Sequence, residues 1–332
     1  MKAIVQTEYG SPDVLTLAEV EKPAVTDNSV LVKVHASSIN SGDWRLMRGT
    51  PFLVRLMYGG LRKPKIKTLG VDFAGRVEAV GPAVMQFQPG DEVFGELSEY
   101  GFGGFAEYVC VAETALARKP INITFEEAAT VPDAAITALQ ALRDCGQLQA
   151  GQRVLINGAS SGVGSFAVQI AKAFGAEVTA VCHPKKMQVV RFTQGEASPT
   201  IGADHIIDYT QTDVTKTGQQ YDLIVDMAAY RSVFDYLPIL TRSGSYVLVG
   251  GSISRLFQVM LFLGPWISRT SQRSVKCLTA KPNQADLIVL RDLLEAGKIV
   301  PFIDRSYPLS EVPIAIRYVE ERHVRGKVAI SI

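Results

Sequence analysis

The sequence predicts an α/β protein in which a β-rich part is joined to a doubly wound parallel sheet. The chain has 332 residues, which is enough for two domains that each bury a core. Its first third contains short strand patterns separated by Gly and Pro, with no long helical pattern between them. After about residue 120, strand patterns alternate with helical ones. These observations predict the two parts in that order.

The β-rich part is predicted from runs such as residues 30–34 and 73–80, which are apolar or alternate between apolar and polar. Pro89, Gly90 and Asp91 mark a turn into the next run. Because many short strands follow one another without a long helix, we expect a compact, partly closed β-domain.

The second part repeats a strand followed by a helix, a pattern typical of a doubly wound parallel sheet. The predicted strands are Arg153–Asn157, 178–182, His205–Asp208, 223–226, 246–249 and 275–279. The predicted helices after residue 120 are 125–130, 133–145, 163–174, 284–296 and 312–321, with a last strand at 327–330. Gly, Ser and Pro within residues 192–200 predict an interrupted or looped helix there.

Composition and charge argue against several functions. The formal net charge of +1 argues against a nucleic-acid partner, which usually requires a basic excess or stripe. The first five residues resemble a strand and contain no apolar signal segment, so we predict no signal peptide. The scattered cysteines show neither metal-ligand nor C-x-x-C spacing, which fits reduced thiols in a cytoplasmic protein. They are Cys110, Cys145, Cys182 and Cys277.

Residues 256–267 form a strongly apolar segment between Arg255 and Arg269. The segment is well short of the roughly 20 apolar residues that a membrane-spanning helix needs, so no spanning segment is predicted. A buried helix that lines a cleft or a subunit contact is the favoured interpretation. Contact with a membrane surface is the alternative.

A phosphate-binding turn is predicted at residues 157–164, where an apolar strand ends in small residues and a helix begins. Small residues let the backbone approach a pyrophosphate, and N–H groups at the helix N-terminus meet its charge. The turn departs from G-x-G-x-x-G because Ala159 and Ser161 replace the first two glycines. The alternative is a tight turn that binds no ligand. The predicted cofactor-binding residues of the turn are Ser160, Ser161, Gly162, Val163 and Gly164.

The end of the following strand predicts which cofactor is bound. NAD sites carry Asp or Glu there for the ribose 2′-hydroxyl, and a carboxylate would repel the 2′-phosphate of NADP. This strand ends in His183, Pro184, Lys185 and Lys186, with no acidic residue in the turn. NADPH is therefore the predicted cofactor. The alternative is that the lysines simply begin a solvated helix.

Motifs in a fixed order run along the whole chain. They are residues 39–43, 70–75 with 80–81, 88–93, 103–108, 137–142, 157–164, 202–204 with 207–209, and 326–328. In these motifs the sequence resembles zinc-independent medium-chain dehydrogenases and reductases of the quinone oxidoreductase group. The resemblance implies a GroES-like catalytic domain of residues 1–120 and 281–332, with a Rossmann dinucleotide-binding domain of residues 121–280 inserted in it.

The resemblance also implies that the protein contains no zinc. Zinc-bearing relatives place Cys where Asn40 stands and a His-Glu pair where Val71 and Asp72 stand. Asn and Val are not plausible zinc ligands, and the four-cysteine lobe of those relatives is missing. Without a Lewis acid, the implied reaction is hydride transfer from NADPH to a quinone or an α,β-unsaturated carbonyl. Conjugation in these small molecules spreads the developing negative charge.

The resemblance implies roles for further residues. Asn40 and Asp43 are expected near the nicotinamide and the substrate as catalytic residues, although Asp43 fits a structural turn cap equally well. No residue is predicted as the proton donor. The implied cofactor contacts are Thr137 beside the nicotinamide, Gly250 and Gly251 beneath its ring, Lys185 or Lys186 with Tyr209 at the 2′-phosphate, and Lys327 from the C-terminal tail.

Two other functions stay open from the sequence. One is an NADP-dependent carbonyl or alcohol oxidoreductase, against which the missing zinc ligands count. The other is a non-catalytic NADPH-binding redox sensor. A homodimer is expected as well, because the predicted strand 275–279 lies near the sheet edge and could pair across a two-fold axis, as in similar dehydrogenases.

Overall fold

The computed structural model describes residues 1–58, 60–191, 202–251 and 253–332. The helix interruption predicted within residues 192–200 lies outside the described residues. The chain forms two compact units. The first unit consists of Met1–Ala134, Pro282–Glu295 and Ile303–Ile332, and the second consists of Ala135–Lys281 and Ala296–Phe302.

Strands and helices are numbered here in chain order. The strands are β1 (Lys2–Gln6), β2 (Leu15–Glu19), β3 (Ser29–Ile39), β4 (Asp72–Val80), β5 (Glu92–Glu96), β6 (Tyr108–Ala112), β7 (Leu116–Arg118), β8 (Arg153–Asn157), β9 (Glu177–Cys182), β10 (His205–Asp208), β11 (Tyr221–Asp226), β12 (Leu240–Leu248), β13 (Ser274–Cys277), β14 (Ile303–Pro308) and β15 (Lys327–Ser331). The α-helices are α1 (Ser41–Arg48), α2 (Phe52–Met57), α3 (Phe125–Ala129), α4 (Pro132–Gln140), α5 (Gly162–Ala173), α6 (Val233–Tyr236), α7 (Ile253–Gln258), α8 (Gly264–Thr270), α9 (Gln284–Glu295) and α10 (Val312–Glu320).

The second unit is built on a parallel sheet with the strand order β10-β9-β8-β11-β12-β13. The chain enters the sheet at β8, winds outward to β10, and then returns to place β11 on the other side of β8. This order is that of a doubly wound nucleotide-binding sheet, whose ligands bind at the carboxyl ends of the strands where the winding reverses. The reversal lies between β8 and β11, where Asn157 is opposite Asp226.

Apolar residues at the centre of this sheet explain its burial. Val154, Leu155 and Ile156 of β8 are completely buried, as expected for a parallel strand covered on both faces. Helix α5 packs against β8 and β9, and its residues from Gly164 to Ala171 are buried. The helix therefore begins directly at the end of β8, which fixes the position of the turn between them.

The first unit is mostly antiparallel. Its main sheet has the order β14-β15-β3-β4-β5-β7, and β6 also pairs with β3. The long strand β3 is central because it pairs with β15, β4 and β6. Val32, Phe73 and Leu116 are among the completely buried residues of its core. The C-terminal strands thus complete a sheet that is begun by N-terminal ones.

This architecture confirms the predicted fold class, a GroES-like β-rich part with a doubly wound Rossmann sheet. Some element bounds differ from the prediction. The helix predicted for residues 133–145 is α-helical only to Gln140 and continues as a π-helical turn over Ala141–Cys145. The strand predicted for residues 246–249 is the end of β12, whose polar residues 241–243 hide its beginning from a hydrophobic pattern.

Residues 256–267, predicted as a buried helix at a cleft or a subunit contact, are helical, and within the single chain only one side of the helix is buried. Helix α7, a π-helical turn over Val259–Leu263 and α8 follow one another without a break, and we call residues 253–270 the apolar helix. Val259, Gly264 and Ile267 are buried, but most of the other apolar side chains are exposed. In the described part of the chain, no helix is long and apolar enough to cross a membrane.

Candidate functional site

The turn between β8 and α5 presents backbone N–H groups at a helix N-terminus. Ser161 caps α5, and its Oγ accepts a hydrogen bond from Gly164 N at 3.1 Å. The first bond within the helix runs from Ser165 N to Ser161 O, so the N–H groups of Gly162 and Val163 have no acceptor inside the helix. Such N–H groups, with the helix dipole behind them, attract phosphate.

Close backbone approach requires glycine at two of the predicted cofactor-binding positions. A Cβ atom at Gly164 would lie 2.3 Å from the carbonyl oxygen of Gly158, and one at Gly250 would lie 2.4 Å from that of Met227. Both contacts occur beyond the carboxyl ends of parallel strands, the edge where nucleotides bind in such sheets. The glycines therefore keep this edge of the sheet tightly packed.

A buried polar network lies below the same edge. Asp226 accepts hydrogen bonds from Asn157 Nδ2 at 2.8 Å, from Tyr246 OH at 2.7 Å and from Ala229 N at 2.8 Å. Asn157 Nδ2 also donates to Tyr236 OH at 2.9 Å. Burial raises the pKa of both tyrosines, so their hydroxyl groups stay protonated. The network fixes the loops after β8 and β11. It was not predicted from the sequence, because its residues come from distant segments of the chain.

Basic residues follow β9, and an aromatic ring from the end of β10 lies beside them. His183 Nδ1 accepts a hydrogen bond from Lys185 N at 3.2 Å, which caps the short 3-10 helix Pro184–Val189. The rings of His183 and Tyr209 meet edge to face with centroids 5.9 Å apart. Lys185 is exposed and Lys186 is half-buried. The structure thus brings His183 and Tyr209 together, next to the two lysines.

Two other predicted cofactor residues, Thr137 and Gly251, also belong to the second unit. Thr137 is a half-buried residue in the last turns of α4. Gly251 is half-buried and directly follows Gly250 after β12, with a positive φ of 114°. Asn40, Asp43 and Lys327 belong to the first unit, where they form a separate group of contacts.

Lys327 is buried among polar side chains of the first unit, with 3% of its surface exposed. Its Nζ donates to Asn40 Oδ1 and lies 3.4 Å from Asp72 Oδ2. Asn40 Nδ2 donates to the same Asp72 oxygen at 2.7 Å, and so does Ser38 Oγ at 2.8 Å. Asp133 N donates to the other oxygen of Asp72 at 2.8 Å. Asp72 therefore holds the lysine, the asparagine and the start of α4 in place.

Three further carboxyl groups surround this contact. Asp43 accepts from Asn40 N at 2.7 Å and from Gly70 N at 3.1 Å, so both of its oxygens bind backbone N–H groups in the manner of a turn cap. Burial raises the pKa of Asp43 to about 7 and that of Glu96 to about 8. Desolvation and the neighbouring Asp72 charge raise the pKa of Asp133 to about 6, against the opposing effect of Lys327.

Sequence reasoning missed Glu96 and Asp133, and it noted Asp72 only as a position of zinc relatives. The pairing register of the strands explains why these residues were missed, because Asp72 is opposite Ser38 on β3 and opposite Glu96 on β5. These pairs meet only after distant strands align. The one signal in the sequence was an acidic residue at a strand terminus, since Asp72 begins β4 and Glu96 ends β5. In the described residues, no group of three or more His, Cys, Asp or Glu side chains is arranged to hold a metal ion.

Comparison with known proteins identifies the family. The model of the alcohol dehydrogenase GroES-like domain matches residues 26–121, and that of the zinc-binding dehydrogenase matches residues 201–330. The mitochondrial NAD(P)H oxidoreductase RTN4IP1 of Bos taurus is 33% identical over 100% of this chain and 89% of the bovine protein. The chain belongs to the quinone oxidoreductase group of the medium-chain dehydrogenases and reductases.

Other members of the family are similar over the same extent. The chloroplastic NADPH-dependent alkenal/one oxidoreductase of Arabidopsis thaliana is 32% identical, over 99% of this chain and 79% of the plant protein. The structure of the quinone oxidoreductase from Coxiella burnetii superposes with a TM-score of 0.84 at 29% identity, covering 100% of this chain and 99% of that one. The resemblance found in the sequence is confirmed, and the chain is an oxidoreductase of this family.

Proposed function

We propose that the protein is a zinc-free reductase that uses NADPH to reduce quinones or α,β-unsaturated carbonyls. The observation that carries the proposal is the basic, acid-free turn after β9, which lies next to the phosphate-binding turn in the strand order of a dinucleotide-binding sheet. The names of two relatives support it, since one is an NAD(P)H oxidoreductase and the other an NADPH-dependent alkenal/one oxidoreductase.

The residues of the second unit fit a bound dinucleotide. Gly162 and Val163 offer N–H groups to a pyrophosphate, and Gly164 keeps a Cβ atom out of a turn that has no room for one. His183, Lys185 or Lys186 would meet a 2′-phosphate. Thr137, Ser160, Ser161, Tyr209, Gly250 and Gly251 complete the proposed cofactor residues. Bound NADPH supplies the hydride.

The first unit contains the proposed catalytic residues. Hydride transfer to a quinone or enone leaves negative charge on an oxygen, and a buried cation stabilises such charge strongly. Lys327, the cofactor contact proposed from the C-terminal tail, is the buried cation beside Asn40, and Asn40 is oriented by its bonds to Lys327 and Asp72. Asp43 holds the turn that carries Asn40. Burial raises the pKa of Glu96 to about 8, so this carboxyl group keeps most of its protons at neutral pH.

The same residues do not fit a zinc ion. At the positions where zinc relatives have ligands, Asn40 presents an amide and Val71 a buried apolar side chain. The Lys327 ammonium group contacts Asn40 and lies beside Asp72, the only carboxylate of the set. A cation already neutralises that carboxylate, which supports a zinc-free reaction.

Cofactor preference tests the proposal. Oxidation of NADPH and of NADH is measured with purified protein, with 9,10-phenanthrenequinone or 2-hexenal as the acceptor. We expect selective turnover of NADPH. Lys185→Glu or Lys186→Glu should lower kcat/KM for NADPH at least about tenfold, equivalent to about 1.4 kcal/mol, with little change for NADH. Lys298→Glu makes the same charge change at an exposed position of the same unit and should leave both values unaltered.

Each other outcome of this experiment identifies a different function. Tight NADPH binding without turnover of either acceptor would indicate a redox sensor, and oxidation of simple alcohols with NADP would indicate an alcohol oxidoreductase. If both lysine variants prefer NADPH as strongly as Lys298→Glu does, the assignment of the basic turn is contradicted.

We also propose a cytoplasmic homodimer. Strand β13 ends the parallel sheet, so its outer edge can pair with the same strand of a second copy across a two-fold axis. The cysteines are free thiols, which fits a reducing compartment. Sedimentation velocity of the purified protein measures the oligomeric state directly.

A further inference from the structure

Asp226 is a completely buried carboxylate that ends strand β11. Its Oδ1 accepts hydrogen bonds from Asn157 Nδ2 at 2.8 Å and from the backbone N–H groups of Ala228 at 3.0 Å and Ala229 at 2.8 Å. Its Oδ2 accepts one from Tyr246 OH at 2.7 Å. An ionised carboxyl group only accepts hydrogen bonds, so four donors around these two oxygens are the environment of a carboxylate.

Asp226 differs from Asp72, the buried carboxylate of the first unit. Asp72 has the Lys327 ammonium group 3.4 Å from its Oδ2, which offsets its charge. The four donors to Asp226 are neutral, and no basic side chain of the described residues forms an ion pair with it. Neutral donors solvate the carboxylate but leave its charge, which acts more strongly inside a protein than in water.

Neighbouring charged groups do not cancel this charge. Arg231 forms an ion pair with Asp213 at 3.1 Å, and Arg255 donates to backbone oxygens of the loop after β11. Acidic side chains outnumber basic ones among the described residues whose charges shift the pKa values of Tyr236 and Tyr246. Those residues are Asp213, Asp226, Asp235, Arg231 and Arg255. The field around Asp226 therefore stays negative within the second unit.

Asp226 also touches the segment proposed to lie beneath the nicotinamide. Its backbone oxygen accepts hydrogen bonds from Val249 N at 2.9 Å and from Gly250 N at 3.4 Å. A Cβ atom at Gly250 would lie 2.4 Å from the backbone oxygen of Met227, the residue after Asp226, so the two strand ends are in close contact. The buried charge therefore belongs to a residue that packs directly against the proposed cofactor glycines.

We propose that the Asp226 carboxylate favours the oxidised form of the bound cofactor and thereby makes NADPH a stronger hydride donor. Transfer of a hydride, which is two electrons with one proton, leaves a positive charge on the nicotinamide ring, and the reduced acceptor takes up a proton from the solvent. A fixed negative charge in a buried site stabilises a positive charge that develops near it. The inference rests on NADPH binding in the proposed function and not on which acceptor is reduced.

The affinities for the two forms of the cofactor test the proposal without turnover. Dissociation constants of NADPH and NADP⁺ are measured with the full chain, by fluorescence titration and by calorimetry. Asp226→Asn removes the charge and nearly preserves the shape of the side chain. We expect it to raise the dissociation constant of NADP⁺ about tenfold relative to that of NADPH, because only NADP⁺ carries the ring cation.

Two controls separate charge from packing. Tyr246→Phe removes one neutral donor to Asp226 and keeps the charge, so the ratio of the two dissociation constants should stay that of the wild type. Glu177→Gln removes an exposed acid where β9 begins, at the opposite end of the sheet, and should also leave the ratio unaltered. Circular dichroism and thermal unfolding check that every variant is folded.

Arg255→Gln tests the sign of the effect independently of Asp226→Asn. Glutamine can still donate to a backbone oxygen, but a positive charge near the network is lost. The ratio should therefore shift in the opposite direction, toward tighter binding of NADP⁺. This second variant keeps the proposal testable if Asp226→Asn does not fold.

The outcomes of these titrations separate this proposal from the proposed reductase. An unchanged ratio in Asp226→Asn, an equal change in Tyr246→Phe, or a ratio in Arg255→Gln that does not move toward NADP⁺ would each overturn the proposal. Absence of binding of either nucleotide by the wild type would overturn it together with the proposed function. Both nucleotides bound with the expected ratios, but no turnover of a quinone or an enone, would contradict the proposed reductase alone.

Discussion

Lys327 carries its charge in a buried position because Asp72 compensates it. The Asp72 carboxylate also accepts hydrogen bonds from Ser38, Asn40 and the backbone of Asp133, so its own charge is well satisfied. A buried ion pair contributes little by itself, but removal of one partner leaves an uncompensated buried charge. The stability of the first unit should therefore depend strongly on keeping both members of the pair or neither.

A double-mutant cycle tests this dependence. Lys327→Met should lower the free energy of unfolding by about 3–5 kcal/mol, because the buried Asp72 carboxylate loses the cation that compensates its charge. Lys327→Met combined with Asp72→Asn should lose less than the sum of the single losses, and the difference is the coupling between the two side chains. Guanidinium denaturation measures all four proteins, with the exposed Lys298→Met as control. Strictly additive losses would show that the two side chains are not coupled.

Sequence reasoning reached Asn40 and Lys327 through the family motifs but did not predict that they touch. Their contact depends on β15 pairing with β3, which sets Val328 opposite Ile39. The residues that meet here are separated by hundreds of positions, and no local pattern encodes that distance. Single residues of the site were therefore predictable, whereas their partners required the register of the sheet.

At the scale of elements, the turn between β8 and α5 was the most predictable part of the protein. Its strand, small residues and helix are adjacent in the chain, so local sequence determines them. Strand β12 was only half predicted, because its pairing with β11 is irregular between Tyr221 and Leu223 and its first residues are polar. Local patterns fail where tertiary pairing, and not hydrophobic alternation, creates the strand.

Gly164→Ala tests the close packing of this turn. The new Cβ atom would lie 2.3 Å from Gly158 O and 2.7 Å from the Cα of Ala159, so the backbone must shift. We expect a loss of about 1–3 kcal/mol in the free energy of unfolding. The shift also moves the N–H groups that meet the pyrophosphate, so NADPH affinity should fall at least about tenfold. Fluorescence titration with NADPH and thermal unfolding measure the two effects.

Gly42→Ala is the matched control for this substitution. Gly42 lies in helix α1 of the first unit, and a Cβ atom there would meet nothing within 4 Å. The change should leave NADPH affinity unaltered. It should raise the free energy of unfolding slightly, because alanine stabilises a helix more than glycine does, by about 0.5–1 kcal/mol. Wild-type affinity in Gly164→Ala would argue against the turn as the phosphate site.

At the scale of the whole molecule, a net charge of +1 conceals an uneven distribution of acidic groups. Asp43, Asp72 and Glu96 are buried within one unit, with Lys327 as the cation that contacts Asp72. Composition could not reveal this concentration, because it counts residues without regard to burial. Two-unit organisation was foreseeable from the change of pattern along the chain, but the charge balance inside a unit was not.

The concentration of buried acids should make stability fall as pH rises. Glu96 is ionised above a pH of about 4.5 in the unfolded chain, but burial, followed by the charges of Asp133 and Asp72, raises its pKa to about 8 in the folded protein. Across that window the folded state keeps a proton that the unfolded state has lost. The free energy of unfolding should therefore decrease by on the order of 1 kcal/mol per pH unit for such a group.

Glu96→Gln isolates the contribution of this residue, because glutamine resembles the protonated acid and does not titrate. Denaturation curves at intervals between pH 5 and pH 8 should show a shallower decline for Glu96→Gln than for the wild type. The gain of the variant over the wild type should grow steadily toward pH 8, because only the wild type must keep a buried proton against the rising pH. Glu99→Gln removes an exposed neighbouring acid and should follow the wild-type slope. Parallel slopes for Glu96→Gln and the wild type would mean that Glu96 ionises in the folded protein near its ordinary pKa, and that other groups with raised pKa values, such as Asp43 and Asp133, carry the pH dependence.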